Sequence, residues 1–286
     1  MDGYEYAKNK SKDQFYTRPE IASYCVTELE KFVHLEGSFI VEPSAGNGVF
    51  LDKLPSHTLG LDLDPKHPKI MKKDFFDFCH VKTDSRPVVF VGNPPFGIRH
   101  RLSIDFFNHA ARCDADYIAF IIPKAWRKRS VQIRLDRRYH VIHDVDLPQK
   151  SFDCPKVHVS CCFMIFEKRD CFRDIEPRRH DVCGWKFTSK DDADIAIKKQ
   201  CTRAGKIFDP KDLPTLEDRF YYVKITDDDK NKILDIFNRC ENEMMSTSKN
   251  VCNRESITLG EIERIYNKIY VYIYGISISD PNRKSS

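Results

Sequence analysis

Residues 88–96, Val88-Val89-Phe90-Val91-Gly92-Asn93-Pro94-Pro95-Phe96, constrain the fold more than any other stretch of this chain. Four apolar residues with no polar alternation predict a strand buried on both faces, as in a parallel sheet. The run halts at two prolines, which fix φ and offer no N–H, so neither strand nor helix continues through them. The same arrangement recurs upstream. Phe39-Ile40-Val41 stops at Glu42-Pro43-Ser44-Ala45-Gly46-Asn47-Gly48, and Leu59-Gly60-Leu61 at Asp62-Leu63-Asp64-Pro65. Ile70-Met71 is followed by Lys73-Asp74-Phe75-Phe76.

Helical patterns lie between these runs. Arg18-Pro19-Glu20 opens one, with Thr17 as the expected N-cap and Pro19 in the first turn. Ile21, Tyr24, Cys25, Leu29 and Phe32 then recur at helical spacing. Val49-Phe50-Leu51 begins a brief helix that Pro55 ends, and Leu102 to Ala111 forms another. Tyr117–Ile122, Val141–Val145 and Val157–Phe166 are further strand candidates, with turn chemistry over 148–155 between the last two. Strands alternating with helices predict an α/β fold with a doubly wound, mostly parallel sheet. Ligands of such sheets bind beyond the carboxyl ends of the strands. The loops at 42–48, 62–65, 74–75 and 93–96 should therefore share one rim. Past residue 176 the patterning changes, which divides the chain into a domain over 1–176 and a smaller α+β extension over 177–286. Within the extension, Phe220–Ile225 reads as a strand, Lys230–Phe237 as helical and 257–261 as a helix entry.

Composition excludes several classes. The 286 residues are 41% hydrophobic and 31% charged, which suits a globular chain with a substantial core. No apolar run approaches the roughly 20 residues that cross a bilayer, so no membrane partner is expected. The N-terminus, MDGYEYAKNKSKDQF, has no apolar signal-peptide core, so a cytoplasmic or nuclear location is expected. The 11 cysteines are odd in number and none has C-x-x-C spacing, so reduced, mostly buried thiols are expected and no metal. Net charge is only +4, but Lys124 to Arg138, KAWRKRSVQIRLDRR, is strongly basic. Such a run is either a solvated face or a phosphate-binding patch.

The rim loops suggest chemistry. Glu42 to Gly48 lacks the Lys-Ser/Thr of a P-loop and is not G-x-G-x-x-G, so a triphosphate is not indicated. Asp62 stands about twenty residues after the first strand-end acid, where ribose hydroxyls are held in nucleoside-binding sheets. Asp74 could bind an exocyclic amine, with Phe75 stacking on its ring. Three successive strand tips bearing Glu or Asp suit a nucleoside without phosphates. In the opening loop, the Asn93 carbonyl and the Pro94 main-chain carbonyl are two acceptors on a rigid turn. They can hold both protons of an NH₂ group while Phe96 stacks on the ring that bears it. Accepting those two hydrogen bonds localises the amine lone pair toward an electrophile, a preorganised arrangement.

These residues resemble the class I S-adenosylmethionine-dependent methyltransferases that modify exocyclic amines, specifically the adenine-N6 type. Asn93-Pro94-Pro95-Phe96 matches that family's D/N/S-P-P-Y/F/W catalytic loop. Glu42, Ser44, Ala45 and Gly46 match its cofactor loop, Asp62 with Leu63 its ribose acid, and Asp74-Phe75 its adenine-side pair. Asp13-Gln14-Phe15-Tyr16-Thr17-Arg18-Pro19 is similar to the segment that closes over the methionine end of the cofactor, which makes Tyr16 and Thr17 candidate contacts. The order of motifs resembles the gamma arrangement of DNA enzymes and covers about residues 1–170. Asp191–Phe208, with Ala204-Gly205-Lys206-Ile207, is similar to the C-terminal part of phage- and virus-type adenine methylases. The resemblance implies a seven-stranded Rossmann-like sheet, S-adenosylmethionine as cofactor, and nucleic acid as partner, DNA ahead of RNA. It also implies that a duplex base is flipped out for methylation. Lys124, Trp126 and Arg127 are then candidates for the base's surroundings or flanking phosphates, and Phe152 for stacking on the opposite face. The extension would serve target recognition. An RNA adenine or a protein glutamine substrate stays open, as do a catalytically inactive binding subunit and the oligomeric state.

Overall fold

The computed structural model describes residues 15–79, 82, 84–153, 159–175, 177–213, 219–251 and 255–275. Asp13, Gln14, the start of the strand expected at 157 and the C-terminal PNRKSS lie outside the described residues. The chain divides into two compact units, residues 1–175 and 176–286.

The first unit is built on a seven-stranded sheet. Its strands are β1 (Phe39–Glu42), β2 (Leu59–Asp62), β3 (Ile70–Lys72), β4 (Val88–Gly92), β5 (Tyr117–Pro123), β6 (Tyr139–Asp146) and β7 (Cys161–Lys168). They lie in the order β3-β2-β1-β4-β5-β7-β6. The first five are parallel, and β7 runs antiparallel to both β5 and β6. This is the α/β, doubly wound architecture expected from the alternating runs.

Alternation along each strand builds two cores, because successive side chains point to opposite faces. Val41, Val88, Phe90, Ile118, Phe120 and Ile122 enter one core, with Phe106, Phe107 and Ala110 of helix α2 (Arg101–Arg112). Ile40, Val89, Val91, Ala119 and Ile121 enter the other, with Ile21, Ala22, Cys25 and Leu29 of helix α1 (Pro19–Glu30). All five residues of β4 are buried, which is why its sequence shows no polar face.

Two local expectations are corrected. The N-cap of α1 is Arg18, which makes no side-chain cap bond, and Pro19 sets the first turn. Thr17 instead pairs as an isolated antiparallel bridge with Phe152. Tertiary pairing has won over capping preference. Residues 49–51 form no helix, only turns closed by bonds from Asp52 N to Gly48 O and from Leu54 N to Phe50 O.

The second unit is α+β. Strands β8 (Trp185–Thr188), β9 (Ile195–Lys198), β10 (Ile207–Phe208) and β11 (Phe220–Ile225) pair antiparallel in the order β10-β9-β11-β8. Helices α3 (Lys230–Ser248) and α4 (Leu259–Tyr274) bury Ile233, Phe237, Ile262 and Tyr266 against Trp185, Ile197 and Val223. A capping box between Thr258 and Glu261 starts α4, whose helical run continues through the β-branched and Tyr-rich residues to Tyr274.

Candidate functional site

Sheet order reverses between β1 and β4, since β2 and β3 lie on one side of β1 and β5 lies beyond β4. The carboxyl ends of these two strands, at Glu42 and Gly92, therefore frame the switch point where such sheets bind ligands. They are in close approach: a Cβ on Gly92, whose φ is +148°, would stand 3.1 Å from Glu42 Cγ.

Asp62 ties the Glu42–Gly48 loop to the end of β2. Its Oδ2 accepts from Gly46 N at 2.8 Å and its Oδ1 from Asp64 N at 2.8 Å. Ala45 N donates to Leu61 O, and Lys66 N to Gly46 O, so the loop is laced to β2 and to the turn that follows it. Each carboxylate oxygen keeps a further lone pair for a hydroxyl donor. Gly46 has φ +52°, and a Cβ there would lie 3.2 Å from the Tyr16 ring, so the turn and the close packing of Tyr16 both require glycine. Tyr16 therefore does border this loop. Leu63 is half exposed beside Asp62.

Glu42 is fully buried, and its Oε2 has no hydrogen-bond partner among the described residues. Burial, with the Asp62 charge adding to it, raises its pKa well above the ordinary carboxylate value. A main-chain hydrogen bond from Leu51 works in the other direction without reversing the shift.

The second orphaned acceptor lies across the switch point. Asn93 Nδ2 donates to Phe15 O at 2.8 Å and to Thr17 Oγ1 at 3.2 Å, and its Oδ1 is buried without a partner among the described residues. Because Phe15 O can only accept, the amide orientation is fixed with its oxygen left over. Ser44 Oγ donates to the Asn93 main-chain oxygen at 3.2 Å, joining the cofactor-loop candidate to the proline loop. The N-terminal segment is held there by pairing with 151–153: Arg18 N donates to Ser151 O and Asp153 N to Tyr16 O. Sequence reasoning misses Phe15 as a site residue, because its contribution is a main-chain carbonyl that no side-chain motif encodes.

Other placements depart from the sequence reading. Phe75 is buried in the core, with its ring 5.0 Å from Phe106 and 4.7 Å from His109, so it cannot stack on a ligand ring. The Asp74 side chain caps its own turn by accepting from Phe76 N at 2.9 Å. Phe96 and Phe152 pack edge to face at 6.5 Å, with Phe15 6.0 and 5.8 Å from them. Their rings do not stand parallel, so no slot sandwiches a planar base between them. Trp126 is wholly buried against Phe107 and Phe166 and cannot meet a base. Lys124 pairs with Asp146, and Arg127 with Asp144 and Asp146, so β6 neutralises the first two of the basic run's seven cations.

A cavity of ≈ 660 Å³ lined by Phe32, His34, Lys53 and Pro55 contains none of the rim residues. Among the described residues, no cluster of His, Cys, Asp and Glu could hold a metal ion, and the nine described cysteines form no disulfide with one another. No helix of the described residues is long and apolar enough to cross a membrane.

No family model and no curated protein matches this sequence. Solved structures similar to it include a protein described as the modification subunit of a type I restriction enzyme from Vibrio vulnificus. It is 15% identical over 58% of this chain and 48% of that one, with a TM-score of 0.44. The methyltransferase subunit of a type I restriction-modification system from Streptococcus thermophilus is 12% identical over 87% and 61%, with a TM-score of 0.41. A dimethyladenosine transferase from Plasmodium falciparum is 13% identical over 55% and 64%, with a TM-score of 0.39. The chain thus spans about half the length of the first and less than two thirds of the other two. Likeness at such identity concerns the fold alone.

Proposed function

We propose that this protein transfers a methyl group from S-adenosylmethionine to the N6 amine of adenine in nucleic acid, DNA ahead of RNA. The observation that carries the reading is the Asn93 amide, whose nitrogen is tied down and whose buried oxygen is left as an acceptor beside Pro94 at the switch point.

The residues fit the cofactor and the substrate. Glu42 Oε2 and Asn93 Oδ1 are buried acceptors that require donors, and a sulfonium nucleoside carrying an ammonium-bearing amino-acid arm, together with an adenine amine, brings them. S-adenosylmethionine, when bound, supplies an electrophilic methyl group on a sulfonium. Asp62 is the acceptor for the ribose hydroxyls, and Ser44, Ala45 and Gly46 present the loop beside it. Glu42, with Tyr16 and Thr17, belongs to the methionine side of the cofactor, and the backbone at Asp74-Phe75 to the base side. Asn93 Oδ1 and Pro94 O accept the two amine protons, which leaves the nitrogen lone pair directed outward for in-line attack. Pro94 and Pro95 hold these acceptors in place before substrate arrives, so little reorganisation is required at the moment of reaction. The methylated ammonium is acidic enough to lose its proton to water, and no general base is required. Phe96 is buried against Phe15 and Phe152 and supports the loop from behind, in place of the exposed stacking ring expected from sequence.

The test is transfer of labelled methyl from S-adenosylmethionine to DNA, RNA and protein offered side by side, with nucleoside analysis of the product. N6-methyladenine in the DNA arm is expected. Label in the RNA or protein arm alone would replace the substrate, and label in no arm would overturn the reading. Asn93→Ala is expected to abolish transfer while cofactor binding survives.

A further inference from the structure

The four residues after Phe96 are held in an unusual conformation. Gly97 has φ +69°, and two non-glycine residues follow in the left-handed region, Arg99 at φ 50° and His100 at φ 62°. Adjacent non-glycine residues there are strained, and such strain persists only where the surroundings over-determine it. Here they do. Buried Ser103 donates through its amide to Phe96 O and through its hydroxyl to His100 O at 3.1 Å. His100 N closes onto Gly97 O, and Arg134 Nη1 donates to Arg99 O at 3.2 Å.

What this scaffold presents is not a structural side chain. Ile98, at the tip, is 63% exposed, and Ile133 beside Arg134 is 48% exposed. Arg99 and Arg134 are also exposed, and the Arg101 side chain is 75% exposed, with Asp105 no closer than 3.8 Å. An apolar tip ringed by arginines, and rigidly joined to the proline loop, buries nothing of its own fold. It fits a partner that offers phosphates at the edge and a flat apolar interior. Apolar wedges inserted between base steps, with basic side chains on the backbone, meet that description in a nucleic-acid duplex.

We infer that the Gly97–Arg101 turn enters a duplex at the target base, with Ile98 filling the space the flipped adenine leaves and Arg99, Arg101 and Arg134 holding the flanking phosphates. This rests on the adenine reading of the site. The joint between tip and site is short, since Ser103 binds both the Phe96 carbonyl and the turn. Insertion of Ile98 and seating of the base against Asn93 would therefore occur together.

Wedge and general structural roles differ in one measurable way: only a duplex has a vacancy to fill. Methyl transfer to sheared genomic DNA is measured on intact duplex and on the same DNA denatured by heat. Ile98→Ala is expected to lower kcat/KM about tenfold on the duplex and less than about twofold on single strands. On the duplex, Ile98→Met should retain activity that Ile98→Asn, of similar size, loses. That comparison also decides the matter if single strands are not substrates. Arg99→Ala with Arg134→Ala should reduce the salt slope of duplex binding by about 2, one for each phosphate left without its arginine. Equal losses on both DNA forms, equal activity of the Met and Asn variants, or an unchanged salt slope would overturn the inference. Absence of transfer by the unaltered protein to either DNA form would instead overturn DNA as the substrate of the site, an outcome distinct from failure of the wedge.

Discussion

Asn93 and Thr17, 76 residues apart in sequence, are joined by a 3.2 Å hydrogen bond from the Asn93 amide nitrogen to the threonine hydroxyl. Thr17 is buried and paired with Phe152, so its hydroxyl cannot wander. The bond, with that from Asn93 to Phe15 O, selects which end of the Asn93 amide faces the switch point. Thr17→Val keeps the shape and removes the acceptor. The amide then loses one of two restraints, and kcat for methyl transfer is expected to fall about tenfold, the worth of one hydrogen bond lost at a buried group. Thr17→Ser, which keeps the hydroxyl, should restore most of it. A parallel loss of kcat in the Ser and Val variants would show that only packing matters here.

Asp62 holds the rim together through two main-chain donors, Gly46 N and Asp64 N, while serving as the proposed ribose acceptor. Asp62→Asn offers one acceptor oxygen in place of two and turns a donor toward one of those amides. Calorimetry with S-adenosylmethionine is expected to show affinity at least about tenfold weaker, the loss of a charged hydrogen bond being roughly 1.5–3 kcal/mol. Unchanged affinity would remove Asp62 from the ribose site.

Glu42 links stability to pH. Its folded-state pKa is raised by burial and by Asp62, so the folded protein binds a proton more tightly than the unfolded chain does. Stability contributed by that proton is full below the ordinary value of 4.5 and is lost as pH rises from there toward the raised folded value. Glu42→Gln removes the ionisation. The melting temperatures of the two proteins should agree within a degree or so at acidic pH, and the Gln variant should melt higher as pH increases. Added S-adenosylmethionine should narrow the gap, because it brings positive charge to the carboxylate.

How much of this could be read from the chain follows from what each residue buries. The strands β1, β4 and β5 are legible because burial on both faces leaves an unbroken apolar run, and the loops after them because Gly, Pro and Asp stop a strand by local chemistry. Thr17, Phe75 and Trp126 mislead for a shared reason. Each has a side chain whose local pattern permits two uses, and only packing from distant sequence decides between them. Thr17 resembles a cap until Phe152 pairs with it, and Phe75 resembles a stacking ring until Phe90 and Phe106 enclose it. Lys124 and Arg127 look like a phosphate patch until β6 brings Asp144 and Asp146 across to them.

Trp126 supplies the check on that correction. It is wholly enclosed by Phe107 and Phe166, and its indole N–H has no hydrogen-bond partner among the described residues. Trp126→Ala should therefore cost about 3–5 kcal/mol of folding stability, the usual loss for a large buried aromatic. Trp126→Phe should cost much less, because it removes an unsatisfied donor along with part of the ring. Neither variant should change kcat/KM per folded molecule by more than about twofold, since a wholly core residue acts on stability and not on the reacting groups. Denaturant melts read the first quantity and active-site-normalised transfer rates the second. If Trp126→Phe keeps its stability but loses affinity for DNA, the indole has a path to the substrate and its assignment to the core fails.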